Sequence, residues 1–378
     1  MPGTSTGIPD FSIIGAGIMG LCLARELHAA GARVAVYERA PASPEQLPVL
    51  AAAAGTAAWA AAGMLGPSGF PPHTPLHSFA RAAAEYYPDF AASLERETGI
   101  HCDYRRIGTL ASHHGMGGAH AAACAEASGI SDEDEPHLAH AHDYVLIAGD
   151  HAVDNRKLVQ ALWKYAHKNK ITMMTGCEAG ELRRTPDHAI RIQTANGCFT
   201  ARQAILAAGA WSGQFAGIHV PVVPRKGQLL CVQAPADLIR HVILGPKVYL
   251  VPRSDGRIMI GASLEDAGFD ARLNPEIAAQ LLKAAVGMVP AMKDFPAESW
   301  CGFRPYSETG LPQLGPTNIP GVWAATGLFR DGILLAPIAA RELAAVLTER
   351  KSELLSSLNL NVGAAPERRR ECSEYRFQ

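Results

Sequence analysis

The sequence predicts an α/β fold in which a parallel-sheet domain carries an inserted antiparallel or mixed β-sheet domain. Three observations predict it. A strand–helix–strand unit stands near the start, hairpin signals fill the middle, and a small-residue strand with a long apolar helix follows near the end. The 378 residues exceed one typical core and point to two domains or three.

The elements follow in order. Phe11-Ser12-Ile13-Ile14 is an apolar run that ends on Gly15. From Ile18 to Ala30 the residues favour a helix, with Leu23, Leu27 and Ala30 on one face, and Gly31 stops it. Arg33 to Tyr37 reads as a buried strand, which completes a parallel crossover unit. Residues 74–99 read as a helix, and 112–143 as a polar, irregular stretch with the acid run Asp132 to Glu135. Asp154 or Asn155 caps a helix carrying Leu158, Leu162 and Tyr165, and a strand follows at Ile171 to Met174. Ala189 to Thr194 alternates, and Asn196-Gly197 turns it into a second strand from Cys198. Ala204 to Ala208 is then a small-residue strand ending on Gly209. A hairpin spans Tyr249 to Arg253 and Arg257 to Ala262. Asn274 and Pro275 open a helix with Ile277, Leu281, Ala284 and Met288 at core spacing. Val322 to Ala325 is a strand, and Gly332 to Leu347 a closing helix.

Bulk properties narrow the function. A net charge of −2 gives no field that would draw nucleic acid or anionic lipid. The eight cysteines form no Cys-x-x-Cys pair, and several lie in apolar runs, as expected of reduced thiols in a cytoplasmic protein. No secretory leader opens the chain. The alanine-rich stretch Val49 to Leu65 is too short and too weakly apolar to span a bilayer. Arg368, Arg369 and Arg370 read as a solvated tail. His137, His140 and His142, like His113-His114, read as surface histidines, since their spacing is unlike a structural zinc site, and no metal is expected.

Gly15-x-Gly17-x-x-Gly20 lies between the first strand and the first helix. The first glycine permits a tight turn, the second lets backbone approach a pyrophosphate, and the third lets helix and strand pack closely. With 36 glycines in 378 residues the pattern arises by chance about 0.3 times, so its context matters most. Glu38 ends the second strand 18 residues beyond Gly20, where a carboxylate would hold a ribose with free hydroxyls. These features predict a Rossmann-like nucleotide-binding domain. An NAD dehydrogenase would also need a catalytic base or metal site, and no convincing one is visible. The chain offers instead glycine-edged strands in its middle and at its end, along which an extended cofactor could thread.

Three further segments carry a resemblance. Ala60-Ala61-Ala62-Gly63-Met64-Leu65 is one. Gly302-Phe303-Arg304-Pro305 with Gly310-Leu311-Pro312 is the second, and Gly327-Leu328-Phe329-Arg330-Asp331-Gly332 continuing to Pro337 is the third. Together with the fingerprint they resemble the D-amino-acid oxidase family, most of all its glycine oxidases, from about Ile13 to Leu347. The resemblance implies an FAD-binding domain of residues 1–92, 153–216 and 302–350. A substrate-binding domain would comprise 93–152 and 217–301, with 351–378 a C-terminal tail.

By this resemblance Gly15, Gly17, Ile18, Met19, Gly20, Glu38 and Arg39 lie at the ADP half of FAD. Ala62, Gly63 and Met64 run beside the flavin, Glu178 and Gly209 contact the cofactor, and Leu328, Phe329, Arg330, Asp331, Gly332, Ile333 and Leu334 wrap the pyrimidine end of the ring. The last placement has a physical reading too. The start of a helix near Gly332 aims unpaired N–H groups and a positive dipole end at the edge where reduced flavin carries charge.

Arg304 is expected to bind the substrate carboxylate through its two-donor fork, the alternative being a structural salt bridge. Tyr249 would share that carboxylate, the alternative being a half-buried strand tyrosine. Arg330 would face the substrate or equally the flavin. No catalytic side chain is required, because flavin N5 takes the hydride. The implied reaction is oxidation of glycine, with sarcosine or small D-amino acids as further substrates, to an imino acid that hydrolyses to the 2-oxo acid and ammonia. Dioxygen reoxidises the flavin to give hydrogen peroxide. Homotetramers and a role in thiamine biosynthesis are implied as well. The alternatives are a D-amino-acid or sarcosine oxidase or dehydrogenase with another electron acceptor, or a flavin-binding subunit of a larger complex. Two features depart from the family. The segment between Glu38 and Gly63 is longer and has Ala57-Ala58 in place of hydroxyl residues, and Asp331 stands where asparagine is common.

Overall fold

The opening apolar run forms the strand Phe11–Ile14, every residue of it buried. It takes a central place in a six-stranded sheet because a strand covered on both faces can be apolar throughout. The strand order is Gln313–Pro316, Val322–Thr326, Gln203–Leu206, Phe11–Ile14, Val34–Glu38, Thr172–Thr175. All neighbours are parallel except the first pair, which is antiparallel. The computed structural model describes residues 7–41, 55–112 and 128–358. The expectations for residues 49–54, His113-His114, Cys124, Cys372 and the Arg368–Arg370 tail lie outside the described residues.

The fingerprint helix Ile18–Ala29 and the closing helix Gly332–Leu347 share one core with the helices Pro75–Thr98 and Asn155–Lys168. Side-chain caps start three of the longer helices. Thr74 accepts from His77 N, Asp154 from Arg156 N and Lys157 N, and Asn274 from Glu276 N of the helix Pro275–Met288. Such caps each stabilise by about 1 kcal/mol. Asp154, rather than Asn155, is therefore the cap, and Asn155 is freed for another task described below.

The second large sheet has eight strands, mostly antiparallel, with one parallel pair between Val242–Leu244 and Thr109–Ser112. Its edge pair, Val222–Gln233 with Ala297–Ser307, is long, and the sequence reading gave it no strands. Proline hides it: Pro224 faces Pro305 in the register. Two prolines can face each other only where neither N–H is needed by the ladder. The expected hairpins are present as Tyr249–Pro252 with Arg257–Gly261, and as Ile190–Thr194 with Gly197–Ala201. The acid run is irregular and exposed as expected, except at its last residue. Glu135 is fully buried, its carboxylate 2.6 Å from His241 Nδ1 and accepting from Arg240 N at 2.8 Å.

Candidate active site

Loops leaving the carboxyl ends of the parallel strands meet the second sheet at one cleft of about 2450 Å³. Gly15, Arg39, Ala207 to Gly209 and Gly327 line it, and each lies just after a strand of the six-stranded sheet. This is where open α/β sheets bind ligands. The volume exceeds the roughly 300–1,000 Å³ of a small-molecule pocket, so it suits an extended cofactor together with a substrate.

At the nucleotide end, Gly15 adopts a φ of +107°, and a Cβ there would lie 2.6 Å from the carbonyl oxygen of Ala207. A Cβ on Gly17 would meet nothing within 4 Å, which leaves its backbone open to a diphosphate. Glu38 is oriented by two backbone amides, Ala16 N on Oε2 at 2.8 Å and Ala40 N on Oε1 at 3.0 Å. The carboxylate keeps lone pairs for ribose hydroxyls. Arg39 stacks on Trp211 with its guanidinium carbon 3.8 Å from the ring centroid. Ile18, Met19, Ala62, Gly63, Met64 and Glu178 also line the cleft.

Two of the expected cofactor residues lie off the cleft lining. Gly20 does not line the cleft; a Cβ on it would sit 1.9 Å from the carbonyl oxygen of Gly15, so it serves close packing between helix and loop. Leu334 turns into the core at 2% exposure, because helical periodicity carries it away from the face that Gly332 and Ile333 present.

At the other end, Leu328, Phe329, Arg330, Asp331, Gly332 and Ile333 line the cleft at the start of the closing helix. Phe329 holds a left-handed backbone (φ +48°), fixed by its N–H on the carbonyl of Pro305 at 3.0 Å. Such strain persists only where the surroundings impose it, and it clusters at functional sites. Burial pushes the Asp331 carboxyl up to about 6, with Arg330 and Arg304 pulling the other way.

Arg304 and Tyr249 lie together on neighbouring parts of the second sheet. The two groups interact electrostatically; burial lowers the guanidinium and raises the phenol from their ordinary values. Arg304 Nη1 donates to the carbonyls of Ser263 at 3.1 Å and Lys226 at 3.4 Å. Among the described residues no carboxylate forms an ion pair with Arg304, unlike Lys226, whose Nζ is 3.5 Å from Glu265. A guanidinium held only by neutral partners remains available for an incoming carboxylate.

Two glycines that the sequence reading passed over make room for this pair. A Cβ on Gly227 would lie 2.1 Å from Arg304 Nη1, and one on Gly261 would lie 2.2 Å from Tyr249 Cζ. Gly227 stands inside a strand and Gly261 ends one, and glycine at such positions marks close approach of another group. His140, His142 and Asp143 bring possible ligand atoms within 4.8 Å of one another, on the surface and away from the cleft. No helix among the described residues is long and apolar enough to cross a membrane.

The family model described as DAO, FAD dependent oxidoreductase, matches residues 10–346. The chain belongs to the DAO family of FAD-dependent oxidoreductases. FAD is its cofactor, and the glycine loop, Glu38 and the backbone beside Gly63 fit that group. The bifunctional protein ThiO/ThiG of Trichormus variabilis is 33% identical over 365 residues, covering 92% of this chain. The chain spans 54% of that relative's length. The glycine oxidase of Pseudomonas aeruginosa is 29% identical, with 90% of this chain and 94% of the relative covered. The crystal structure of glycine oxidase from Geobacillus kaustophilus superposes with a TM-score of 0.81 at 28% identity, covering 91% of this chain and 96% of the other.

Proposed function

We propose that this DAO-family enzyme oxidatively deaminates glycine, and with it sarcosine or small D-amino acids. Glycine, dioxygen and water give glyoxylate, ammonia and hydrogen peroxide. The observation that carries the reading is the Arg304–Tyr249 pair, a carboxylate receptor facing the same cleft as the FAD motifs. The glycine oxidases and the ThiO/ThiG proteins among its relatives support the substrate class and a place in thiamine biosynthesis. A cytoplasmic homotetramer is carried over from the family resemblance alone.

In this reading Arg304 binds the substrate carboxylate through two N–H groups, and the Tyr249 hydroxyl donates to the same group. Anchoring the carboxylate fixes the α-carbon, so the chain contributes positioning more than acid–base chemistry. When bound, FAD would supply the redox chemistry, as acceptor of a hydride from the α-carbon with dioxygen as the final oxidant. Arg330, at the exposed rim beside Phe329, adds positive potential where an amino acid's carboxylate enters. Gly17, Glu38 and Arg39 hold the ADP half, and Ala62 to Met64 flank the ring.

Peroxide release from the FAD-loaded protein with glycine, sarcosine and D-alanine tests this. The expected result is fastest turnover with glycine. Flavin reduction without peroxide would identify a dehydrogenase with another acceptor. Absence of both with every amine would remove the amine oxidase reading.

A further inference from the structure

We propose that Arg253 is a positioning residue that clamps the wall segment Ala58–Gly63 from behind and so sets the seat and the redox poise of the FAD ring. The proposal rests on the reading that Ala62 to Met64 flank the ring.

Arg253 is 1% exposed and does not line the cleft. Its Nη2 donates to the carbonyl of Ala62 and to Asn155 Oδ1, the latter at 3.0 Å. Asn155, fully buried, passes the restraint on, with Nδ2 donating to the carbonyls of Ala58 at 2.7 Å and Trp59 at 3.2 Å. Trp300 Nε1 holds the carbonyl of Ala60 at 3.0 Å, and Val153 N that of Gly63 at 2.9 Å. Carbonyls along this wall are thus tied down on the side away from the cleft. A Cβ on Gly63 would lie 2.9 Å from Arg253 Nη2 and 2.1 Å from the carbonyl oxygen of Val153, which shows how closely the clamp is pressed.

The arrangement costs stability. Arg253 Nε and Nη1 are buried without a hydrogen-bond partner among the described residues. Leaving donors of a buried guanidinium unpaired is expensive, and an apolar side chain of similar volume would be cheaper. Burial lowers the group to about 10, with Asp154 and Asp103 opposing and Arg257 and Arg105 adding to the shift, so it stays charged at neutral pH. A fixed positive charge behind the Ala62 carbonyl favours uptake of electrons by a group in front of it. The clamp also accounts for the alanines at 57 and 58: with no hydroxyls to offer, the wall is held by groups behind it. Arg253 follows the strand Tyr249–Pro252, and its backbone is fixed by the turn bonds Arg253 N to Arg257 O at 2.8 Å and Gly256 N to Arg253 O at 3.1 Å. The same hairpin therefore carries both Tyr249 and the clamp.

The test uses the holoenzyme of the variants R253M and R253K. FAD release on dilution is followed by flavin fluorescence, and the flavin midpoint potential is measured alongside steady-state kinetics. R253M is expected to release FAD about tenfold more readily, to have a more negative potential, and to lose kcat with KM for glycine little changed. R253K keeps the charge and one contact, so its potential should stay near wild type while FAD affinity falls part-way. Wild-type affinity and potential in R253M would overturn the proposal; if R253M does not fold, the same outcome in R253K would overturn it. M64A separates the underlying reading. Unchanged FAD affinity and flavin spectrum in M64A would mean the segment does not flank the ring. A change in M64A beside unchanged Arg253 variants would reject the clamp alone.

Discussion

The nucleotide end of the cleft presents Gly15, Gly17 and a carboxylate, Glu38, held by two backbone amides, whereas the substrate end presents Arg304, Tyr249, Arg330 and Asp331. The first is backbone geometry enforced by missing side chains. The second is a cluster of charged and phenolic groups in which burial shifts Arg304, Tyr249 and Asp331, while Arg330 stays exposed at the rim. Recognition by backbone tolerates little change in shape and much change in chemistry; recognition by side chains does the reverse. Substitutions at the two ends should therefore fail in different ways.

The largest effect is expected at the substrate end. Arg304→Ala should keep yellow bound flavin and lose about 2–4 kcal/mol of transition-state binding, read from kcat/KM for glycine. Unchanged catalytic efficiency would remove Arg304 from the site. At the nucleotide end Gly20→Ala should do the opposite. Its Cβ would meet a backbone oxygen at 1.9 Å, so the helix must move off the loop. Thermal unfolding should show a loss of roughly 1–3 kcal/mol, together with poor FAD retention. A stable, fully loaded Gly20→Ala would contradict the packing role.

Gly261→Ala sharpens the comparison, since it acts through shape at the end governed by chemistry. Tyr249 must swing away from the added methyl, and KM for glycine should rise by about tenfold while the flavin spectrum is unaltered. An unchanged KM would show that Tyr249 does not share the carboxylate. The smallest effect is expected from Asp331→Asn. Its folded value of about 6 lies above the ordinary 3.8, so ionisation is penalised in the folded chain. Wild-type stability then falls as pH rises from about 4 through 6, and the penalty is complete above that window. Asp331→Asn should be more heat-stable than wild type at neutral pH, by roughly 1–2 kcal/mol after allowing for partial exposure. The advantage should vanish near pH 4.

The same contrast explains what was legible in the sequence. Gly15, Gly17 and Glu38 sit within one strand–helix–strand unit, so local spacing alone pointed to a nucleotide site. Arg304 and Tyr249 come together only through the pairing of strands far apart in the chain, and Pro224 and Pro305 disguised the longest of these. Resemblance, not periodicity, had to nominate them. Gly227, Gly261 and Arg253 were missed because each acts on a neighbour that the fold alone supplies. Gly20 and Leu334 lie off the cleft lining, and a motif does not say which of its residues face inward.

The central claim, that a carboxylate receptor holds an amino acid against FAD, is tested most directly by the visible spectrum of the purified holoenzyme before and after anaerobic addition of glycine. Loss of the oxidised-flavin absorbance, and its return on admitting air, is the predicted result. Flavin that stays oxidised with glycine, sarcosine and D-alanine alike would contradict the account.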